Sequence, residues 1–272
     1  MRLLTFASVL AVSAAFAVSA GASTLYAPQY FSPGDEVSSY SVGAGGTLTP
    51  VTGSPFTIGT GGTRGLGSVA LAPDGVRGAA TFYFNGGIQG LTFSAAGGVA
   101  GAQAVVGAAK GTMVAVSPDG RFVYQAIGGA PKGVAGYSMD AAGVLTALPG
   151  SPYFTASDFF GLAVAPDGKH LYATESNAIR PFSIAADGTL TAMPAHVLVG
   201  VGLIQFAPDG KHLIASTGGG APQLVIEARD FLARGYRAYL RAHALESSGS
   251  ASAAFGQRAA QRRGHHSHAS RA

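Results

Sequence analysis

The sequence predicts an all-β chain: a β-propeller of four-stranded antiparallel blades, with about four to four and a half blades present, followed by a C-terminal tail outside the propeller. Three observations carry the prediction. The strings "APDGVRGAAT" from Ala72, "SPDGRFVYQA" from Ser117, "APDGKHLYAT" from Ala165 and "APDGKHLIAS" from Ala207 recur at offsets of 45, 48 and 42 residues. A second template, an alternating strand, a Gly-containing turn and a "TLT"-like strand, falls between those copies. The composition is apolar and turn-rich, with 41 glycines, 14 prolines and only 11% charged residues among 272. That excludes a disordered chain, and the absence of a three-residue glycine period excludes a collagen-like one.

Taken in chain order, the first element is an export signal over residues 1–22. Arg2 gives the positive start, Leu3 to Ala20 are uncharged, and "AGA" at Ala20–Ala22 offers a small-x-small cleavage site. An uncleaved anchor is the alternative reading of that stretch. No later segment is long and apolar enough to cross a membrane. With no cysteine in the chain, disulfides, thiolate metal sites and thiol nucleophiles are excluded. A bacterial periplasmic or secreted location follows as the expectation.

The partial propeller is expected over residues 23–222. Each x-Pro-Asp-Gly is a turn: proline presets φ, the Asp side chain bonds locally, and glycine closes it. An apolar run precedes each turn and an alternating run follows, which makes a β-hairpin. In "KHLYAT", Lys169, Leu171 and Ala173 fall on one face, with His170, Tyr172 and Thr174 on the other. The intervening template reads "VSSYSVGAGGTLTPV" from Val37, "VAGYSMDAAGVLTAL" from Val134 and "IRPFSIAADGTLTAM" from Ile179, with a degraded copy, "IQGLTFSAAGGVAGA", from Ile88. Four short strands per unit result. A β-sandwich is the structural rival, but sandwiches do not repeat one turn sequence hairpin by hairpin. By this count three strands precede the first hairpin and the last blade ends near Thr217.

These residues resemble the lactonase-like seven-bladed β-propeller family, the 6-phosphogluconolactonase type with its YVTN-like repeats. The resemblance rests on "SPDGRFVYQA", "APDGKHLYAT", the "Y-S-[VM]…G-[TV]-L-T" pattern and "GSPF" at Gly53, and it covers Ser23 to Pro222. It implies seven blades, so the chain reads as truncated. It also implies, for active members, a Gly-Pro-Arg-His-like stretch before the innermost strand of a blade. The matching positions here read "GTRG" (Gly62–Gly65), "AKGT" (Ala109–Thr112), "SDFF" (Ser157–Phe160) and "VGVG" (Val199–Gly202), with no histidine.

Candidate site residues follow from that placement. Near the channel mouth the polar side chains are Arg64, Lys110 and Asp158, with Glu175 at the end of a strand. A lactone hydrolase needs a carboxylate to activate water and a cation to steady the oxyanion, which Asp158 with Arg64 or Lys110 would supply. Loop solvation explains the same residues. No G-x-S-x-G, no H-E-x-x-H and no phosphate loop between strand and helix is present. No cofactor and no metal ligand set is expected. His170 and His212 share one repeat position and read as blade-surface residues, and His196 stands alone.

Residues 223–272 change character. The first 222 residues hold nine basic and ten acidic side chains; the last fifty hold eight and three. Nucleic-acid binding by the repeats therefore has no support. Three explanations of the tail stay open: a reading-frame shift; a basic helix over Leu224–Leu245 with Arg234, Arg237 and Arg241 on one face; or a metal site at "HHSH" from His265. Two function classes remain for the body. One is an exported, non-catalytic propeller that binds carbohydrate or protein at its channel mouth. The other is a lactonase-like hydrolase of sugar lactones. Open blade edges predict self-association.

Overall fold

A computed structural model describes residues 15–19, 22–30, 32, 34–59, 65–154, 156–197, 201–207, 209–217 and 224–227. These residues form five antiparallel sheets in chain order. The first contains β1 (Ala15–Ser19), β2 (Ala22–Pro28), β3 (Glu36–Val42) and β4 (Leu48–Pro50), with the short β5 (Phe56–Thr57) also paired to β3. The second is β6 (Leu66–Leu71), β7 (Arg77–Phe82), β8 (Ile88–Phe93) and β9 (Val99–Ala102). The third is β10 (Gly111–Val116), β11 (Phe122–Ile127), β12 (Gly133–Met139) and β13 (Leu145–Ala147). The fourth is β14 (Leu162–Val164), β15 (His170–Glu175), β16 (Ala178–Ile184) and β17 (Leu190–Ala192), with β18 (His196–Val197) also on β16. The fifth is β19 (Val201–Phe206), β20 (His212–Thr217) and β21 (Leu224–Glu227). Consecutive strands pair in every sheet, the meander expected of a propeller blade.

Two strands lie in segments assigned outside the propeller. β1 belongs to the segment assigned to the export signal, and it completes a fourth strand where three were expected. β21 belongs to the segment assigned to the tail, and it extends the fifth sheet by pairing Leu213 with Ile226. Neither carries the repeat motif. Apolar residues beside an open edge suffice to form a ladder, because the edge offers unpaired N–H and C=O groups.

The four Pro-Asp-Gly turns are alike in atomic detail. The glycines adopt the left-handed conformation, with φ of 67°, 71°, 67° and 65° at Gly75, Gly120, Gly168 and Gly210. Each Asp Oδ1 accepts the N–H two residues on, from Val76, Arg121, Lys169 and Lys211, at 2.8, 3.0, 2.8 and 2.9 Å. The turns also touch one another. A Cβ built on Gly120 would lie 3.7 Å from Pro73, one on Gly168 3.8 Å from Pro118, and one on Gly210 3.2 Å from Pro166. Each glycine therefore rests on the proline of the preceding sheet. This explains why the motif recurs: it forms the hairpin and also joins neighbouring blades.

Between the sheets lie four apolar layers. Tyr26, Val37, Leu66, Phe82 and Leu91 fill the first, between the first and second sheets. Ile88, Val114, Val123, Ile127 and Tyr137 fill the second. Phe122, Tyr124, Phe159, Leu171 and Phe182 fill the third. Tyr172, Ile179, Ile204 and Leu213 fill the fourth. Because an inner sheet is covered on both sides, the alternation in "KHLYAT" does not separate core from solvent. Leu171, Tyr172, Ala173 and Thr174 are all buried. Burial pushes the Tyr172 phenol up to about 12, with a further rise from the Asp167 carboxylate.

Buried hydroxyls and an amide tie the inner strands together. Ser68 Oγ accepts the N–H of Val114 at 2.8 Å. Gln125 Nε2 donates to Thr81 Oγ1 at 2.6 Å and to the Gly87 carbonyl at 3.0 Å. Thr174 Oγ1 donates to the Gly202 carbonyl at 2.6 Å and accepts the N–H of Gly161 at 2.7 Å. Buried hydrogen bonds of this kind fix register between blades as apolar packing alone does not.

Candidate channel-mouth site

The antiparallel register puts the starts of β6, β10 and β14 at the same end as the loops leaving β7, β11 and β15. We call this the mouth end, after the channel mouth that the resemblance implies; the Pro-Asp-Gly turns lie at the other. Asp158 stands in the loop before β14. Its Oδ1 accepts the N–H of Gly129 at 2.8 Å, and its Oδ2 lies 3.2 Å from Lys132 Nζ. The loop entering the fourth sheet is thereby pinned to the β11–β12 loop of the third. Lys110 precedes β10 and is exposed. Its carbonyl accepts the N–H of Gly128 at 3.0 Å, and its stem passes 3.5 Å from the Cβ position of Gly129. It makes no ion pair among the described residues.

Glu175, at the end of β15, has both oxygens engaged. Oε1 forms a close ion pair with Arg180 Nε, and Oε2 accepts the Ser157 hydroxyl at 2.9 Å. Arg180 also donates to the Met193 carbonyl at 3.1 Å, and its guanidinium stacks 3.8 Å above the Phe154 ring. Both charged side chains are about six-sevenths covered, at 15% and 16% exposure. Such a pair is screened far less than one in open solvent. It anchors Phe154 and Ser157 and so positions the loop that carries Asp158.

Of the four sequence candidates, Asp158, Lys110 and Glu175 gather at this end, while Arg64 lies outside the described residues. Among the described residues, the cation beside Asp158 is Lys132, at 3.2 Å. Glu175 is a positioning residue held by Arg180. Sequence reasoning missed Lys132, Arg180 and Phe154. Arg180 did leave a signal, since its repeat equivalents are Ser38, Gln89 and Ala135, none of them charged. Lys132 left none, because the loop that holds it has no constant counterpart. Asp35, also at this end, is fully buried with a left-handed φ of 50°. No group of three metal-ligating side chains occurs among the described residues. His170 and His212 sit at the turn end, each paired with its turn aspartate, Asp167 or Asp209. "HHSH" lies outside the described residues.

Solved structures share this architecture. The periplasmic gluconolactonase of Pseudomonas aeruginosa superposes with a TM-score of 0.62 at 19% identity, over 79% of this chain and 68% of its own. A candidate 6-phosphogluconolactonase from Bacteroides uniformis gives 0.60 at 19%, over 78% and 65%. A functionally unknown protein from Desulfotomaculum acetoxidans gives 0.64 at 14%, over 79% and 68%. The chain has their fold. It is the propeller fold that the repeats resemble, and the chain spans about two thirds of the length of these structures. No family model matches the sequence, and no curated protein does. At 14–19% identity the likeness speaks for architecture, and chemistry has to be argued from the residues.

Proposed function

We propose that the chain is a non-catalytic binding module whose channel mouth receives a polar, sugar-derived ligand. One observation carries this reading: the carboxylate oxygens of the two candidate acids, Asp158 and Glu175, already hold donors. A general base must present an acceptor within reach of the water it activates. Asp158 instead joins Gly129 and Lys132, and Glu175 joins Arg180 and Ser157. Lys110, with no counter-charge among the described residues, is the group that suits a carboxylate such as that of a sugar acid.

A second reading, hydrolysis of a sugar lactone, is favoured by Asp158 lying 3.2 Å from an ammonium group and by the gluconolactonase among the similar structures. Two measurements separate the readings: calorimetric titration with gluconate and a pH-stat assay on gluconolactone. The module reading expects gluconate binding that Lys110→Ala weakens about twofold to fivefold, the worth of one exposed charge contact, and no turnover. Turnover by the wild type that Asp158→Asn abolishes would establish the hydrolase instead.

We also place the protein in the periplasm or outside the cell. The leader-like residues 1–22 support this, as does the periplasmic location of the Pseudomonas aeruginosa protein. Cleavage near Ala22 would remove β1 and leave β2 as an open edge, which supports self-association through sheet edges. N-terminal sequencing and light scattering of the secreted product test both statements.

A further inference from the structure

The β7–β8 loop, "YFNGG" from Tyr83 to Gly87, carries two aromatic residues at the mouth end and is clamped at both sides. Tyr83 donates its N–H to the Gly65 carbonyl at 2.8 Å, and Gly87 donates to the Ala109 carbonyl at 2.8 Å. Gly86 and Gly87 have φ of 68° and 98°. A Cβ on Gly86 would fall 2.1 Å from the Ala108 carbonyl, so backbone lies directly on backbone. The loop is held at both ends, and it abuts the segment that leads into Lys110.

On this base stands an aromatic cluster. Phe84 lies over Gly65, where an added Cβ would meet the ring at 2.5 Å. Tyr30, from the β2–β3 loop, packs on Phe84 with centroids 5.2 Å apart. Tyr83 meets Phe84 at 5.7 Å and Tyr30 at 6.3 Å. Rings at these distances are in direct contact. There is no room for a cation or a ligand between them, and what the cluster offers is its outer surface. Phe84 is 44% exposed. Five large apolar side chains are exposed among the described residues. The three at the turn end, Leu48, Val76 and Val144, are aliphatic, while the two at the mouth end, Phe84 and Phe160, are aromatic.

We propose that Phe84, flanked by Tyr83 and Tyr30, is a stacking step for the pyranose ring of a neutral glycan. The C–H face of a pyranose covers an aromatic ring, and its equatorial hydroxyls reach outward to a polar rim. Here that rim is the two phenols and the exposed Asn85 amide. Burial raises the Tyr30 pKa, and Tyr83 raises it further, which fits two phenols sharing one small surface. A protein partner fits less well, since a stable interface takes about 800 Å² from each side. Clamping the loop beforehand removes ordering costs that binding would otherwise meet. This inference rests on the binding-module reading, because it takes the mouth to be the binding end.

The chain contains no tryptophan, so Phe84→Trp places a lone indole reporter on the step. Maltotetraose, cellotetraose and chitotetraose are titrated against this variant by fluorescence, and against the wild type, Phe84→Ala and Lys110→Ala by calorimetry, alongside gluconate. The expected result is a saturable emission change with at least one tetrasaccharide. Its affinity should fall about tenfold in Phe84→Ala. The melting temperature of Phe84→Ala should fall by no more than a few degrees, because 44% of the residue is exposed. Silence with all three sugars, or wild-type sugar affinity in Phe84→Ala, overturns the step. Gluconate binding without glycan binding defeats the step and leaves the mouth reading standing. Glycan binding without gluconate binding keeps the step and removes only the sugar-acid role given to Lys110.

Discussion

The two ends of the sheets are built on different plans. At the turn end, four hairpins repeat one sequence, one φ and one Asp-to-backbone hydrogen bond, and the last three glycines each rest on the proline of the turn before. At the mouth end no two loops agree. One holds Asp158 against Lys132, one presents Phe84, and one ends in the Glu175–Arg180 pair. Repetition is found where successive blades must meet in the same way, and variety where nothing forces them to. A propeller can therefore keep its scaffold constant while its recognition surface diverges.

The largest expected effect tests whether the two ends stand on one core. Phe182 is fully buried in the layer between the third and fourth sheets, in contact with Phe159 next to Asp158. Phe182→Ala should cost about 3–5 kcal/mol, read as a drop in the urea midpoint. If mouth binding outlives that loss unchanged, the ends are less coupled than the packing indicates. A smaller contrast compares the ends directly. Gly120→Ala must hold a side chain at φ 71° beside Pro73, which should cost about 1–2 kcal/mol. Lys132→Ala removes one exposed partner and should cost no more than about 0.5 kcal/mol. Equal costs would erase the distinction drawn between scaffold and surface.

Acid titration gives the smallest effect. At Asp74, Asp119 and Asp167 partial burial raises the pKa. At each, hydrogen bonds from the turn and from Arg77, Ser117 or His170, together with the nearby Arg77, Arg121 or His170 charge, outweigh it and hold the carboxyl below its ordinary value. At Asp209 the Lys211 N–H and the His212 ring lower it. A depressed native pKa contributes stability that is complete above the unfolded value of about 3.9. That stability is lost as pH falls through the native values. The urea midpoint should thus decline on acidification below about pH 4, and Asp167→Asn should make the decline shallower. A midpoint that rises over that range would show that the turn aspartates do not hold the hairpins.

How much of this was legible in the sequence follows the same division. The hairpin turns, the four-strand unit and the meander order could be read because the residues at Ala72, Ser117, Ala165 and Ala207 open near-identical strings. Alternation separated the two faces of β15, with Leu171 and Ala173 in one layer and Tyr172 in the next, but it did not show that both faces are covered. β1 and β21 escaped notice because edge pairing needs no motif. Asp158, Lys110 and Glu175 were placed at the mouth by their offset from the repeats. The Lys132 contact depended on where two unlike loops meet, which spacing does not encode. Arg180 was readable in principle as the single charge at its repeat position.

The proline–glycine contact between successive turns has one more consequence. Each such junction involves only two adjacent hairpins and is the same from one pair to the next. Stability should therefore accumulate module by module, with nearest-neighbour terms dominating. A lineage could duplicate or delete an entire blade without redesigning the joint on either side of it. The number of blades would then be an adjustable quantity, and the joint the fixed one.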